Sequence, residues 1–522
     1  MSNVKKIRRL IGTVLFGLLL FGFVFIIRLA DWYRAEFKTA AFSVVVYQLS
    51  TPLTGAGQER MDSMRASALY VSIVIAVVLT VLYLAADMIF VEHDLNLDVR
   101  LKDRKRSILI RGTTALKVKR VISGLLLISL CAAIINRAFA VGIPQYIDEI
   151  SHNSTIYEEE YVDPQTVQLT FPENRRNLIL IFLESMEASF MDRDNGGISN
   201  VNYIPELTQL ALDNVSFSTG DKLGGFHIYG MGFTMAGILA ATAGVNYKLP
   251  VYNLNANIYA KVLPGITNLG DILEAEGYRN YYICGSYSNF SGKKAYLKGH
   301  GNYEVMDLSY AYDAGHIPGD YYNDFWGYED MYLYEIAKKE LDRISSFDEP
   351  FNLTMLTVDT HMPEGYVCDL CTDEFDTQYG NVLACASRQL ADFLNWAKTQ
   401  KWYDDTTIVI MGDHPTMATN FRITEETNEY DVYDREVYNC FINCSEGLDL
   451  THMKNREFST CDMFPTILAS MGVDIEGDRL ALGTNLFSGA RTLPESMGKD
   501  EFYEQLQMNS KYYTKMFVEG SR

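Results

Sequence analysis

Apolar positions are distributed along this chain in two different ways. Near the N-terminus they form three unbroken stretches, at about 10–30, 66–90 and 121–141. Each is long enough to cross a bilayer about 30 Å thick, which takes roughly 20 helical residues. From about residue 175 onward the pattern breaks into short apolar runs, LILIFLE, NYYICG, FNLTMLTVD, TTIVIMGD and YNCFIN. Between them lie the amphipathic stretches PELTQLALD, TNLGDILEAEG, YEDMYLYEIAKKELDRISS, SRQLADFLNWAKTQ and TCDMFPTILASMG. Strands that are apolar almost throughout, alternating with helices, predict an α/β domain with a mostly parallel central sheet covered by helices on both faces. The expected organisation is a membrane domain over 1–142, a juxtamembrane linker over 143–174, a catalytic domain over 175–490 and a C-terminal tail over 491–522 with a closing helix.

Charge sharpens the division. Residues 1–142 carry 19 Lys/Arg against 9 Asp/Glu, whereas the remainder carries 26 against 57. An acidic soluble part excludes the electrostatic footprint of a nucleic-acid binder. The loop over 91–120 is rich in Lys and Arg, while the segment between the first two spans is balanced, so the positive-inside rule places the N-terminus and that loop in the cytoplasm. Three spans then put the catalytic domain outside the cytoplasm. Lys5, Lys6, Arg8 and Arg9 before the first span also suit a signal peptide. Against that, Ile27-Arg28-Leu29-Ala30 is a poor cleavage site and two more spans follow. Cys131 lies in the third span and seven further cysteines follow it. Their grouping as Cys368, Cys371, Cys385 and as Cys440, Cys444, Cys461 is compatible with local disulfides whose pairing stays open. The CDLC segment has no second CxxC to complete a four-thiolate zinc site.

Candidate chemistry collects at the ends of the apolar runs, where an open α/β sheet builds its sites. Glu184 ends NLILIFLE; taken alone, it could equally cap a helix or be solvated. Asp413 and His414 follow the strand TIVIMG and precede Pro415, offering an oxygen and a nitrogen ligand for a borderline metal such as zinc or manganese; the alternative is an ordinary turn. Thr234 follows Gly230-Met231-Gly232-Phe233 and opens a helical run, so it is either a helix cap or a nucleophile activated by a metal or base. Phosphate is favoured at such a helix start. His361 in LTVDTHMPEG could donate to a phosphoryl oxygen or protonate a leaving alkoxide. Lys293 in NFSGKKAYLKGHG could neutralise a phosphate oxygen, with a solvated surface lysine as the alternative.

The ordered segments NLILIFLES, FHIYGMGFTMAGILA, GDILEAEGYRNYYICG, NDFWGYED, TVDTHMP, IVIMGDHP and CDMFPTILASMG resemble those of the alkaline phosphatase and sulfatase superfamily. More narrowly, they resemble its membrane-anchored phosphoglycerol transferases, which include lipoteichoic acid synthase and the membrane-derived-oligosaccharide phosphoglycerol transferase. The resemblance implies Glu184, Thr234, Asp413 and His414 as metal ligands, Thr234 as nucleophile and His361 as a substrate-binding residue. It also implies one divalent metal, Mn2+ first, with Zn2+ or Mg2+ as alternatives. The implied donor is phosphatidylglycerol, with diacylglycerol as leaving group and a glycan or other envelope hydroxyl as acceptor. Lipoteichoic acid synthase has Trp and Arg where this chain has Ser291 and Lys293, a His where it has Cys284, and five spans where three are expected here. These departures favour transfer onto a glycan over polymerisation. A phosphoethanolamine transferase also fits a Thr nucleophile on a membrane anchor. GFTMAG lacks the CxPxR-like setting of a sulfatase nucleophile, and a non-catalytic scaffold would not need all four ligands.

Overall fold

The computed structural model describes residues 3–36, 42, 46, 58–90, 94–101, 104–226, 232–248, 262–318, 327–418 and 435–520. Parts of two motifs, 227–231 and 323–326, lie outside the described residues, and with them Gly230 and Met231. Contacts divide the chain into one unit of Met1–Lys38 with Gly57–Gln145 and another of Thr39–Ala56 with Tyr146–Arg522.

The first unit is built on α1 (Asn3–Glu36), α2 (Val71–Phe90) and α3 (Gly112–Ala140). A π-helical turn over Arg65–Tyr70 leads into α2. Three spans, Arg9–Glu36, Met61–Ile89 and Gly112–Ala140, are long and apolar enough to cross a membrane. Leu18, Val74 and Ile128 are exposed on them, as expected where hydrocarbon is the solvent and a helix satisfies its own backbone. Ion pairs tie the three together, Arg137 to Asp31 at 2.9 Å and Lys119 to Asp87 at 2.6 Å. The loop between the second and third spans is a hairpin, Leu95–Leu101 antiparallel to Arg104–Ile110. The alternation of apolar and polar residues in LNLDVRL is the strand period, set within a segment whose plainest feature is its Lys and Arg content.

The second unit carries a seven-stranded sheet of β1 (Asn177–Leu183), β2 (Gly225–Phe226), β3 (Arg279–Cys284), β4 (Glu304–Met306), β5 (Phe351–Leu356), β6 (Thr406–Gly412) and β7 (Val437–Ile442). Its spatial order is β2-β7-β6-β1-β5-β3-β4. The strands from β6 to β4 are parallel, and β7 and β2 add antiparallel to one edge. Leu178 to Leu183 are buried, alternating between two apolar clusters on opposite faces of the sheet. Burial on both faces is why these strands read as unbroken apolar runs. One cluster takes in α4 (Thr234–Ala243) and the helix Met463–Ser470; the other takes in the helices Asp330–Ile344 and Gln378–Ala397.

The stretch expected as a linker is built into this unit. Ile156 and Tyr157 are buried in its core, and Leu169–Thr170 pairs with Asp474–Ile475. The tail supplies the helices Leu493–Met497 and Lys499–Gln507, with Tyr513 and Phe517 buried beyond them.

Register decides what meets at the carboxyl end. Leu183 of β1 stands level with Gly412 of β6, and Phe182 stands level with Leu356 of β5. Glu184 and Asp413 therefore leave adjacent strands at one height, while Thr357, the first residue after β5, stands level with Leu183. Gly237, in the first turns of α4, makes this end close-packed: a Cβ there would lie 2.0 Å from the Asp413 carbonyl oxygen. Gly237→Ala is expected to lower unfolding stability by about 1–3 kcal/mol through overpacking, despite a helix-propensity gain of about 1 kcal/mol. Denaturant unfolding of the detergent-solubilised chain measures it.

Candidate active site

Glu184 is the first residue beyond β1, and Ser185 after it has φ 54°, which turns the chain sharply off the sheet. A non-glycine residue in that region is strained unless its surroundings hold it. Here the Ser185 N–H donates to Asp413 Oδ1 at 2.8 Å and the Ser185 hydroxyl donates to Glu184 Oε1 at 2.9 Å. The Glu184 N–H donates to Thr357 Oγ1 at 2.9 Å, so all three strand ends are joined.

Asp413 Oδ1 also accepts the His414 N–H at 2.8 Å, while Oδ2 is buried without a hydrogen-bond partner. His414 Nδ1 lies 2.9 Å from the Pro415 carbonyl, which assigns the proton to Nδ1. Its Nε2 lies 3.4 Å from both Glu184 Oε1 and Asp413 Oδ2. Thr234 is the first residue of its helix; Phe233 occupies the cap position and no side chain caps the end. The threonine hydroxyl instead donates to Glu184 Oε2 at 3.2 Å. Glu184, Asp413, His414 and Thr234 are all buried.

Two carboxylates and an imidazole in a buried site cannot be indifferent to one another. Burial pushes the Glu184 carboxyl up, but the charge and hydrogen bond of His414, with the charge of His361, bring it down to about 2. Burial and the Glu184 charge push Asp413 up to about 7. Burial opposes the His414 imidazolium, yet Asp413 and Glu184 hold it up to about 10. The His414 imidazolium thus balances part of the carboxylate charge, a role that a cation held by the same groups would take over from a neutral imidazole. The ligand atoms of Glu184, Asp413 and His414 lie within 4.8 Å of one another. An orphaned carboxylate oxygen, a second carboxylate and an imidazole nitrogen aimed between them fit a divalent cation of the zinc or manganese type. The Pro415 carbonyl on Nδ1 is the outer support that such an imidazole ligand needs.

The other two sequence candidates fall in the same field. His361 is half-buried in the loop after β5, its Nδ1 is 3.0 Å from the Met362 carbonyl, and its charge bears on Glu184. Lys293 is buried, not solvated, at the first turn of the helix Lys293–Gly299, after Ser291 and Gly292 with φ 58° and 75°. Burial pushes its ammonium down, opposed by Cys284, Glu184, Asp413 and Asp307. A separate cavity lined by Phe171, Pro264, Thr267, Asp271 and His300 contains none of these residues.

Sequence reasoning missed the supports. Glu187 is fully buried and accepts the Thr416 N–H at 2.6 Å, and Arg435 pairs with it at 3.0 Å and donates to the Thr416 carbonyl at 2.9 Å. Together they fix the turn that carries Asp413 and His414. Asp330, within the YED segment, accepts the Val358 and Asp359 N–H groups at 2.8 and 3.1 Å, fixing the start of the His361 loop. A Glu four residues past the strand and an isolated Arg give no local signal; only the apolar context of Glu187 in ESMEASF hints that it is buried.

Residues 176–473 match the sulfatase family. Phosphoglycerol transferase I of Salmonella choleraesuis (strain SC-B67) is 32% identical over 256 residues, which is 48% of this chain and 32% of that protein. The chain thus matches about a third of the length of that curated relative. Among solved structures, the integral membrane lipooligosaccharide phosphoethanolamine transferase A of Neisseria meningitidis is 14% identical with a TM-score of 0.51, covering 88% of this chain and 84% of that one. That likeness is one of fold. The lipoteichoic acid synthase LtaP of Listeria monocytogenes is 17% identical with a TM-score of 0.47, over 64% of this chain and 80% of that one.

Removing Arg435 leaves the Glu187 charge buried and unpaired. Arg435→Met is expected to cost about 3–5 kcal/mol of stability, read from the unfolding midpoint, and Glu187→Gln in the same chain should recover part of the loss.

Proposed function

This chain belongs to the sulfatase family, and from that premise we propose that it is a membrane-anchored, metal-dependent phosphoglycerol transferase. It moves glycerol phosphate from phosphatidylglycerol to a hydroxyl of an envelope glycan. The observation that carries the reading is the Thr234 hydroxyl donating to Glu184 beside the buried Glu184, Asp413 and His414 cluster. Support comes from the 32% identity to a relative named phosphoglycerol transferase I. The N-terminus is cytoplasmic and the sulfatase-like unit extracytoplasmic, consistent with the basic loop between the second and third spans.

Glu184, Thr234, Asp413 and His414 would hold the metal, Mn2+ first and Zn2+ or Mg2+ as alternatives. When bound, it supplies positive charge that acidifies the threonine hydroxyl and offsets charge on the phosphoryl oxygens. Thr234 Oγ attacks the phosphorus of the donor, its proton passing toward Glu184 Oε2. The bond from phosphorus to the glyceride oxygen breaks as the new P–O bond forms, and His361 protonates the leaving oxygen to give diacylglycerol. Lys293 neutralises part of the phosphodiester charge. An acceptor hydroxyl then attacks the same phosphorus and gives its proton to His361, while the bond from phosphorus to Thr234 Oγ breaks and the threonine oxygen recovers its proton from Glu184. Two in-line displacements make this a ping-pong sequence.

Incubating the detergent-purified chain with Mn2+ and head-group-labelled phosphatidylglycerol tests the reading. Diacylglycerol release and a glycerophosphate adduct on Thr234 are expected, with Thr234→Ala slower by about a thousandfold or more, a barrier change of about 4 kcal/mol. Consumption of phosphatidylethanolamine in place of phosphatidylglycerol would reassign the donor. Inertness toward both lipids would remove the transferase reading.

A further inference from the structure

A second cluster of metal-ligating side chains lies outside the Thr234 site. Cys368 and Cys371 stand on a turn closed by the Cys371 N–H donating to the Cys368 carbonyl at 3.0 Å. Cys385 comes from the facing helix, Gln378–Ala397. The Cys368 sulfur is 3.8 Å from each of the other two, and all three sulfurs lie within 4.8 Å of one another. A disulfide needs sulfurs about 2.05 Å apart. Sulfurs held tetrahedrally about a zinc ion, at about 2.3 Å each, are about 3.8 Å apart.

The surroundings of the sulfurs point the same way. Gln389 is buried one helical turn beyond Cys385, and its amide Nε2 donates to the Cys385 sulfur at 3.3 Å and reaches the Cys368 sulfur at 3.6 Å. Donors directed at sulfur are the outer-sphere feature that stabilises thiolate ligands. The loop is also fastened to the helix beside the cluster. Arg388 donates to Glu374 and Thr372, and Asn381 accepts the N–H groups of Glu374 and Phe375. The turn is therefore held against the helix with its sulfurs converging.

We propose that Cys368, Cys371 and Cys385 form a thiolate site for a thiophilic, tetrahedral divalent ion such as zinc, separate from the Glu184, Asp413 and His414 cluster. Among the described residues no fourth His, Cys, Asp or Glu joins the three, so the fourth position is filled from solvent on the side of the partly exposed Cys371. Its role is structural. The Gly365 N–H donates to the His361 carbonyl at 3.1 Å and the Tyr366 N–H to the Asp359 carbonyl at 2.7 Å, so the ion would anchor the far end of the loop that begins at His361. Binding converts three thiols to thiolates and releases their protons, without any change in oxidation state.

The test uses the full chain in detergent, purified without chelator. Elemental analysis should find about one equivalent of zinc per chain, retained in Asp413→Asn and lost in Cys385→Ser. Cobalt(II) exchanged into the wild-type chain should give a sulfur-to-cobalt charge-transfer band, which the oxygen and nitrogen donors of the other cluster cannot produce. That spectrum decides the matter even if the cysteine variant fails to fold. A disulfide joining any two of the three cysteines in the unreduced chain, or a cobalt-loaded chain without the sulfur band, would overturn the proposal.

Discussion

Two carboxylates are buried side by side at the ends of adjacent strands, and the rest of this site follows from how the sheet brings them there. The parallel register that sets Leu183 level with Gly412 delivers Glu184 and Asp413 at one height. Neither can turn to solvent, because both are buried under the helix that begins at Thr234. His414 answers the charge with its imidazole, held above the usual range by burial-resistant attraction to both carboxylates. A divalent metal would answer it more fully, and the orphaned Asp413 oxygen is where the arrangement is incomplete without one.

The backbone accepts local cost to hold this geometry. Ser185 sits in the left-handed region, and its N–H and hydroxyl bind the two carboxylates that flank it. Gly237 and Gly412 allow close backbone approaches, since a Cβ on either would lie 2.0 Å from the Asp413 or Met186 carbonyl oxygen. Glu187 and Arg435 then clamp the Asp413 turn from outside. Thr234, the Glu184, Asp413 and His414 cluster and their supports thus come from segments far apart in sequence, and rigid elements position them.

Much of this was legible from local pattern. The five principal strands are apolar almost throughout, so their positions and the residues ending them could be read directly, and Glu184, Thr234, Asp413 and His414 converge as expected. Pairings between distant segments were not legible. Glu187 reads as an ordinary acid until Arg435 is seen beside it. The edge strands Gly225–Phe226 and Glu304–Met306 are too short to show a period. The helix that carries Cys385 begins at Gln378, ahead of the amphipathic stretch that starts at Ser387, because buried Gly380 and Asn381 look like turn residues. Missing that start also hid the meeting of Cys385 with the CDLC turn.

One divalent metal held by the strand-end cluster against the threonine hydroxyl is the point on which the proposed chemistry turns. Anomalous diffraction at the manganese edge from manganese-soaked crystals of the full chain tests it most directly. One strong peak is expected in bonding contact with Glu184, Thr234, Asp413 and His414. Absence of manganese there, in crystals where those side chains are ordered, would contradict it.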